Sequence, residues 1–236
     1  TKLYTFVPNI IDNINNTKTE VGEPINAYFG YQFDGIYQTA AEVSKTLFTS
    51  TNGTQPGDIK FKDINGDGQI DANDRTFIGN PVPKFTYGFL FNADYKNFDF
   101  SFLFQGVQGV DRYLDLKQIL NYDTRPFNST TAVLGAWTGE GSTNSIPRLS
   151  FNDVGGSKVS SVFVEDASYL RLKNIELGYT LRVPNAKIKS LRFYISGQNL
   201  ITVTKYTGLD PESTSLKDQG TYPQMKAFIV GAKINL

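Results

Sequence analysis

Between Lys84 and Gln108 the chain alternates so strictly that few folds can hold it. Phe85, Tyr87, Phe89, Phe91, Ala93 and Tyr95 take one set of alternate positions, and Lys84, Thr86, Gly88, Asn92 and Asp94 the other. After a short reversal from Tyr95 to Phe98 the pattern returns, with Phe98, Phe100, Phe102 and Phe104 set against Asp99, Ser101 and Gln105. A period of two belongs to the β-strand, whose successive side chains point to opposite faces. The two runs therefore read as a hairpin with one almost wholly aromatic side. Something apolar has to cover that side: a second sheet, as in a soluble sandwich or jelly roll, or lipid.

Strand length and the spacing of the connections favour lipid. Tyr169 to Leu181 shifts its apolar set from even positions (Leu170, Leu172) to odd ones (Ile175, Leu177, Tyr179, Leu181), which predicts a bulge near Lys173 and Asn174. Leu191 to Val203 places Leu191, Phe193, Ile195, Ile201 and Val203 on one face. Met225 to Leu236 alternates down to the last carboxylate, with Phe228, Val230, Ala232, Ile234 and Leu236 in one row, as the closing strand of an outer-membrane barrel would. A further strand of about a dozen residues is predicted over Ile25 to Tyr37, from the row Ala27, Phe29, Tyr31, Phe33 and Tyr37. These runs exceed the ~5–6 residues usual in globular proteins. The connections Thr39 to Pro83, Val110 to Asp166 and Thr204 to Gln224 are long, whereas Tyr95 to Phe98 and Arg182 to Lys189 are short. Short periplasmic turns and long extracellular loops mark transmembrane barrels. The expected fold is all-β: an antiparallel transmembrane β-barrel segment of about six strands with long extracellular loops. Short helical turns are expected near Ala40 to Lys45 and Tyr113 to Leu120.

Composition removes whole classes of function. There is no cysteine, which excludes a thiol nucleophile, a Cys-based zinc site and a disulfide scaffold. There is no histidine, so neither a Ser-His-Asp triad nor a His ligand or general base can be built. Lys+Arg and Asp+Glu both number 23, and nothing argues for nucleic acid as a partner. The aromatic share of 14% and the 21 glycines suit strands and turns. No apolar run approaches the ~20 residues of a membrane helix, so any crossing is made by strands. A glycosidase would need two carboxylates at a set separation, and Glu140, Asp153 and Glu165 supply no such geometry in the sequence. No catalytic residue is predicted. The chain starts at Thr1, without Met or signal peptide, and reads as a piece of something longer.

One loop carries metal chemistry in its spacing. Asp63, Asn65, Asp67, Asp71 and Asp74 fall at positions 1, 3, 5, 9 and 12 of a twelve-residue calcium loop, with the Gln69 carbonyl at position 7 and Gly68 at the turn. Calcium is a hard cation that takes six to eight oxygens, and closely packed carboxylates repel one another without it. Asp74 stands where such loops usually carry Glu. No helical pattern flanks the loop, which points to a structural calcium rather than a paired sensor. The alternative is a solvated run of Asn-Gly and Asp-Gly turns.

Several motifs together resemble the SusC/RagA-type TonB-dependent outer-membrane transporters. They are Val21-Gly22-Glu23-Pro24-Ile25, Tyr28-Phe29-Gly30-Tyr31, Asp34-Gly35-Ile36-Tyr37, Gly57-Asp58-Ile59-Lys60 and Ile78-Gly79-Asn80-Pro81. Tyr169-Leu170-Arg171-Leu172-Lys173-Asn174, Ser196-Gly197-Gln198-Asn199-Leu200 and Tyr206-Thr207-Gly208-Leu209-Asp210-Pro211 complete the set. The resemblance implies that residues 1–236 form the C-terminal part of a large plugged barrel, with the plug, the rest of the wall and the TonB-interacting segment outside this chain. It further implies a SusD-like surface lipoprotein as lid, and import of oligosaccharides or peptides. On that reading Trp137, Tyr113, Tyr122 and Phe127 either stack on a sugar or the lid, or pack the loops against themselves, the last being favoured. The competing function is a soluble carbohydrate-binding β-module with a structural calcium.

Overall fold

The computed structural model describes residues 10–45, 53–122, 128–182 and 188–235. In chain order the strands are β1 (Ile10–Asp12), β2 (Thr17–Thr19), β3 (Ala27–Tyr31), β4 (Phe33–Ile36), β5 (Ile59–Phe61), β6 (Arg75–Gly79), β7 (Phe85–Tyr95), β8 (Phe98–Gln108), β9 (Asp111–Tyr113), β10 (Val164–Asp166), β11 (Tyr169–Arg182), β12 (Ser190–Thr204) and β13 (Ala227–Asn235). Two short helices, α1 (Ala40–Ser44) and α2 (Asp115–Asn121), lie close to the expected helical turns. Among the described residues no helix is long and apolar enough to cross a membrane. The chain divides into two compact units, one of Thr1–Val82, Asp111–Asp166 and Ser213–Thr221, the other of Pro83–Val110, Ala167–Glu212 and Tyr222–Leu236.

The second unit is a single antiparallel sheet of five strands, in the order β13-β12-β11-β8-β7. Its register carries the alternation across the whole sheet, because directly opposed residues share a face. One row runs Phe91, Phe102, Ile175, Gly197, Phe228, and another runs Tyr95, Phe98, Tyr179, Phe193, Ala232. The opposite face shows Asn92, Ser101, Glu176 and Ser196 in line. The expected bulge is present between Leu172 and Asn174, where Asn199 and Leu200 of β12 stand against the single Lys173 of β11. Asn199 takes a left-handed conformation there, with φ of 53°. Every residue of β7 is exposed, and Phe228 and Val230 of β13 are 80% and 83% exposed. Among the described residues of this unit nothing covers the aromatic face, as a sandwich would require.

The first unit holds the core. Tyr28, Ile36, Ile59, Phe61, Ile70, Tyr113, Tyr122 and Phe163 form one buried cluster. At ~1.5–3 kcal/mol per large apolar side chain, this cluster is what orders such long loops. Around it stand a four-stranded sheet, β1-β2-β3-β6, and the pairs β4-β5 and β9-β10.

The strand expected over Ile25 to Tyr37 does not exist as one element. It breaks at Gln32 into β3, paired with β2 and β6, and β4, paired with β5. Both faces are buried there: Ala27 and Tyr28, adjacent in sequence, are 1% and 0% exposed. An aromatic row facing protein has the same period as one facing lipid, which is why alternation alone misassigned it. The wall described here therefore has five strands, and its edges are β7 and β13 rather than Ile25 to Tyr37 and β13. Leu236, the last residue of the closing row, lies outside the described residues.

Candidate functional site

The polar face of the sheet carries a charge bridge that crosses three strands. Arg192 on β12 pairs with Glu176 on β11 at 2.6 Å and reaches over β11 to Asp99 on β8. It can do so because Gly178 lies between them: a Cβ at that position would collide with the Arg192 guanidinium and the Asp99 carboxylate. Gly178→Val is accordingly expected to break the bridge and lower sheet stability by ~1–3 kcal/mol through overpacking. The urea midpoint of the folded receptor in lipid vesicles reads this, and an unchanged midpoint would show that the crossing contributes nothing.

At the start of β11 sits a denser network. Arg171 is almost fully buried and donates from Nη2 to Asp210 Oδ1 at 2.8 Å and from Nε to Thr202 Oγ1 at 2.9 Å. Glu212 lies 3.1 Å from Arg171 Nη1 and 2.7 Å from Lys173 Nζ, and Arg171 Nη1 and Glu212 Oε1 meet their partners as ion pairs rather than aligned hydrogen bonds. Burial pushes the Asp210 carboxyl up, but the backbone N–H groups of Gln224 and Glu212 and the Arg171 guanidinium outweigh it and hold it below the usual carboxylate range. The network ties β11 and β12 to the 205–226 connection. It gathers residues from motifs noted in the sequence, yet the pairing of Arg171 with a group 39 positions away leaves no local signal.

In the first unit the calcium-spaced residues are arranged as capped turns. Asp63 accepts from the N–H groups of Gly66 and Gly68, Asp67 from that of Gln69, and Asp71 from that of Asn73. Asp74 is fully buried and accepts from the N–H groups of Ile64 and Asp71, both at 2.8 Å. Asn65 bonds to Asp67 through both its side-chain atoms, and Gln69 is exposed. Among the described residues no three carboxylates converge as a metal-holding group. Burial pushes Asp74 up, but the hydrogen bonds from Asp71, Ile64 and Asn65 prevail and lower its pKa. A lowered folded pKa adds stability above the unfolded value of ~4, and that stability is lost as pH falls through the folded value. Hydrogen-exchange protection at the Ile64 and Asp71 amides is therefore expected to hold at neutral pH and to fall selectively in acid. Equal protection above and below the transition would remove Asp74 as the cause.

The aromatic candidates serve the loops themselves. Tyr113 is buried against Tyr28 and Phe163 and donates its hydroxyl to Gln118 Oε1 at 2.8 Å. Tyr122 donates to the Ser145 carbonyl, and burial pushes its pKa up to about 12. Trp137 packs on the same core and donates from Nε1 to Gln38 Oε1. Phe127 lies outside the described residues. Glu165 is taken by Lys117 at 2.8 Å, Asp153 caps its own turn, and Glu140 is exposed. A polar cleft of about 380 Å³, missed in the sequence, opens beside Asp34, Gln38, Glu42, Lys60, Thr143 and Asn144.

A long-stranded antiparallel sheet with one apolar face, one polar face and no cover is a piece of a transmembrane barrel wall. No family model matches the chain. It is 34% identical over 230 residues to TonB-dependent receptor P3 of Formosa agariphila, covering 89% of this chain and 22% of that protein. It is 30% identical over 240 residues to TonB-dependent receptor SusC of Bacteroides thetaiotaomicron, covering 98% and 22%. The solved RagAB peptide transporter has the same fold over 97% of this chain and 24% of its own, at 24% identity and a TM-score of 0.77. The chain thus spans under a quarter of the length of these relatives. It is a barrel segment of a SusC/RagA-type TonB-dependent receptor, a protein of the outer membrane.

Proposed function

We propose that this chain supplies wall, rim and extracellular loops to an importer of oligosaccharides or peptides that works with a SusD-like surface lipoprotein. Energy would come from TonB through a segment outside this chain, as would the plug. The observation that carries the reading is the two-faced sheet, apolar outside and polar within, together with relatives that are receptors and transporters. The part played by this chain is transport rather than catalysis. The test is affinity purification of the full-length receptor from outer membranes. Co-purification of a surface lipoprotein, and loss of growth on one oligosaccharide or peptide source when the receptor is deleted, are expected. A receptor recovered alone and dispensable on every such source would overturn the reading.

Asp63, Asn65, Asp67, Gln69, Asp71 and Asp74 are proposed to take one structural calcium ion. Binding would require Asp67 and Asp71 to exchange their turn hydrogen bonds for the cation, which six to eight oxygens can repay. Asp63→Ala with Asp67→Ala is expected to abolish calcium-dependent heat in calorimetry of the assembled receptor while leaving the barrel folded. No heat from the unaltered receptor at millimolar calcium would mean that the loop is only a set of solvated turns.

A further inference from the structure

The apolar face of the wall is not uniform. Gly197 on β12 stands opposite Ile175 on β11 and Phe228 on β13, and a groove of about 510 Å³ runs along this row. Ile195 and Leu200 of β12 and Val230 of β13 complete its sides. The β12 bulge shapes one end: with Asn199 left-handed, Leu200 folds back over Gly197, and Asn199 Nδ2 donates to the Met225 carbonyl at 3.1 Å. The regular pairing of β12 with β13 stops at Gln198 and Ala227. At that same end lies a positive charge. Lys226 is exposed and immediately precedes β13, two positions before Phe228. An apolar groove on a lipid-facing wall, with an ammonium at its loop end, has the two chemistries of a lipid: hydrocarbon and a negatively charged headgroup.

We propose that this groove is a specific site for one acyl chain of an anionic lipid, whose phosphate is met by Lys226. A flexible hydrocarbon fits the groove because its lining is almost wholly apolar and faces the lipid side of the wall. The charge makes the site selective, since a neutral lipid fills the groove but leaves the ammonium without a counter-charge in a low-dielectric interface. Lys205 provides a control: it is exposed and also follows an apolar row, yet it lies seven residues past Gln198, the last β12 residue paired with β13, roughly 20 Å away at strand spacing.

The test is native mass spectrometry of the full-length receptor, delipidated in detergent and titrated with phosphatidylglycerol or with phosphatidylcholine of the same chains. One phosphatidylglycerol is expected to bind about tenfold more tightly than phosphatidylcholine. Lys226→Ala should remove that preference, and Lys205→Ala should keep it. Gly197→Leu should reduce the bound fraction of both lipids; should it impair assembly, Lys226→Ala still decides, because it lies outside the strand. Equal uptake of the two lipids by the unaltered receptor, or a preference that survives Lys226→Ala, would overturn the proposal. The membrane reading of the wall is read separately, from partition of the same samples into detergent.

Discussion

Arg171→Met is expected to destabilise the assembled wall by about 3–5 kcal/mol, the range found when one partner of a buried ion pair is removed. The side chains of Arg171 and Asp210 are only 4% and 2% exposed, so water cannot replace the lost contacts. Asp210 would remain as a buried carboxylate held by the backbone N–H groups of Glu212 and Gln224, and Glu212 as a half-buried one beside Lys173. Arg171→Lys should restore little, because a single ammonium cannot serve Asp210, Glu212 and Thr202 from one position. Arg171→Met combined with Asp210→Leu should recover part of the loss, since no uncompensated pair is then left. Urea midpoints of the full receptor in lipid vesicles give all three values. If the single and double variants lose the same stability, the pair is not coupled.

The second large effect comes from the apolar face. Phe102 sits midway along β8 and stacks on Phe91 with ring centroids 5.2 Å apart. Phe102→Arg places a charge against lipid near the middle of the bilayer, at a cost of ~2–4 kcal/mol. Its neighbour Ser101 points the other way and pairs with Asn92 and Glu176. Ser101→Arg should therefore be tolerated within ~0.5 kcal/mol, as surface changes usually are. The amount of heat-modifiable, folded receptor in outer membranes separates the two. Equal losses from both would refute the assignment of lipid to the phenylalanine face.

Where alternation was long and one face was bare, the sequence was enough: β7, β8, β11, β12 and β13 all lie where the period of two puts them, with the bulge at Lys173 included. Ile25 to Tyr37 failed because period reports only that a strand has two faces, not what covers them. Tyr28, buried among Tyr113 and the loop at Leu216, carries no mark that distinguishes it from a lipid-facing tyrosine. The acidic loop was legible as spacing but not as geometry, since Asp67 and Asp71 spend their oxygens on nearby N–H groups. The Arg171 network was spelled out in two motifs whose meeting depends on tertiary structure. The lipid groove is lined by residues of β8, β11, β12 and β13, a convergence that hydropathy cannot register.

The core around Tyr28 is assembled from stretches that the strands of the wall interrupt, and this sets an order of events in time. The β7 and β8 hairpin closes over two residues, Lys96 and Asn97, and such local closure takes microseconds. The Tyr28 hydroxyl instead finds its acceptor at Leu216, 188 positions along the chain. Contacts of that separation form late, after the intervening loop entropy has been met by other pairings. The wall hairpins can therefore pair before the Tyr28 hydroxyl meets its acceptor, so closure of the loop core is a late event that follows pairing of the wall strands.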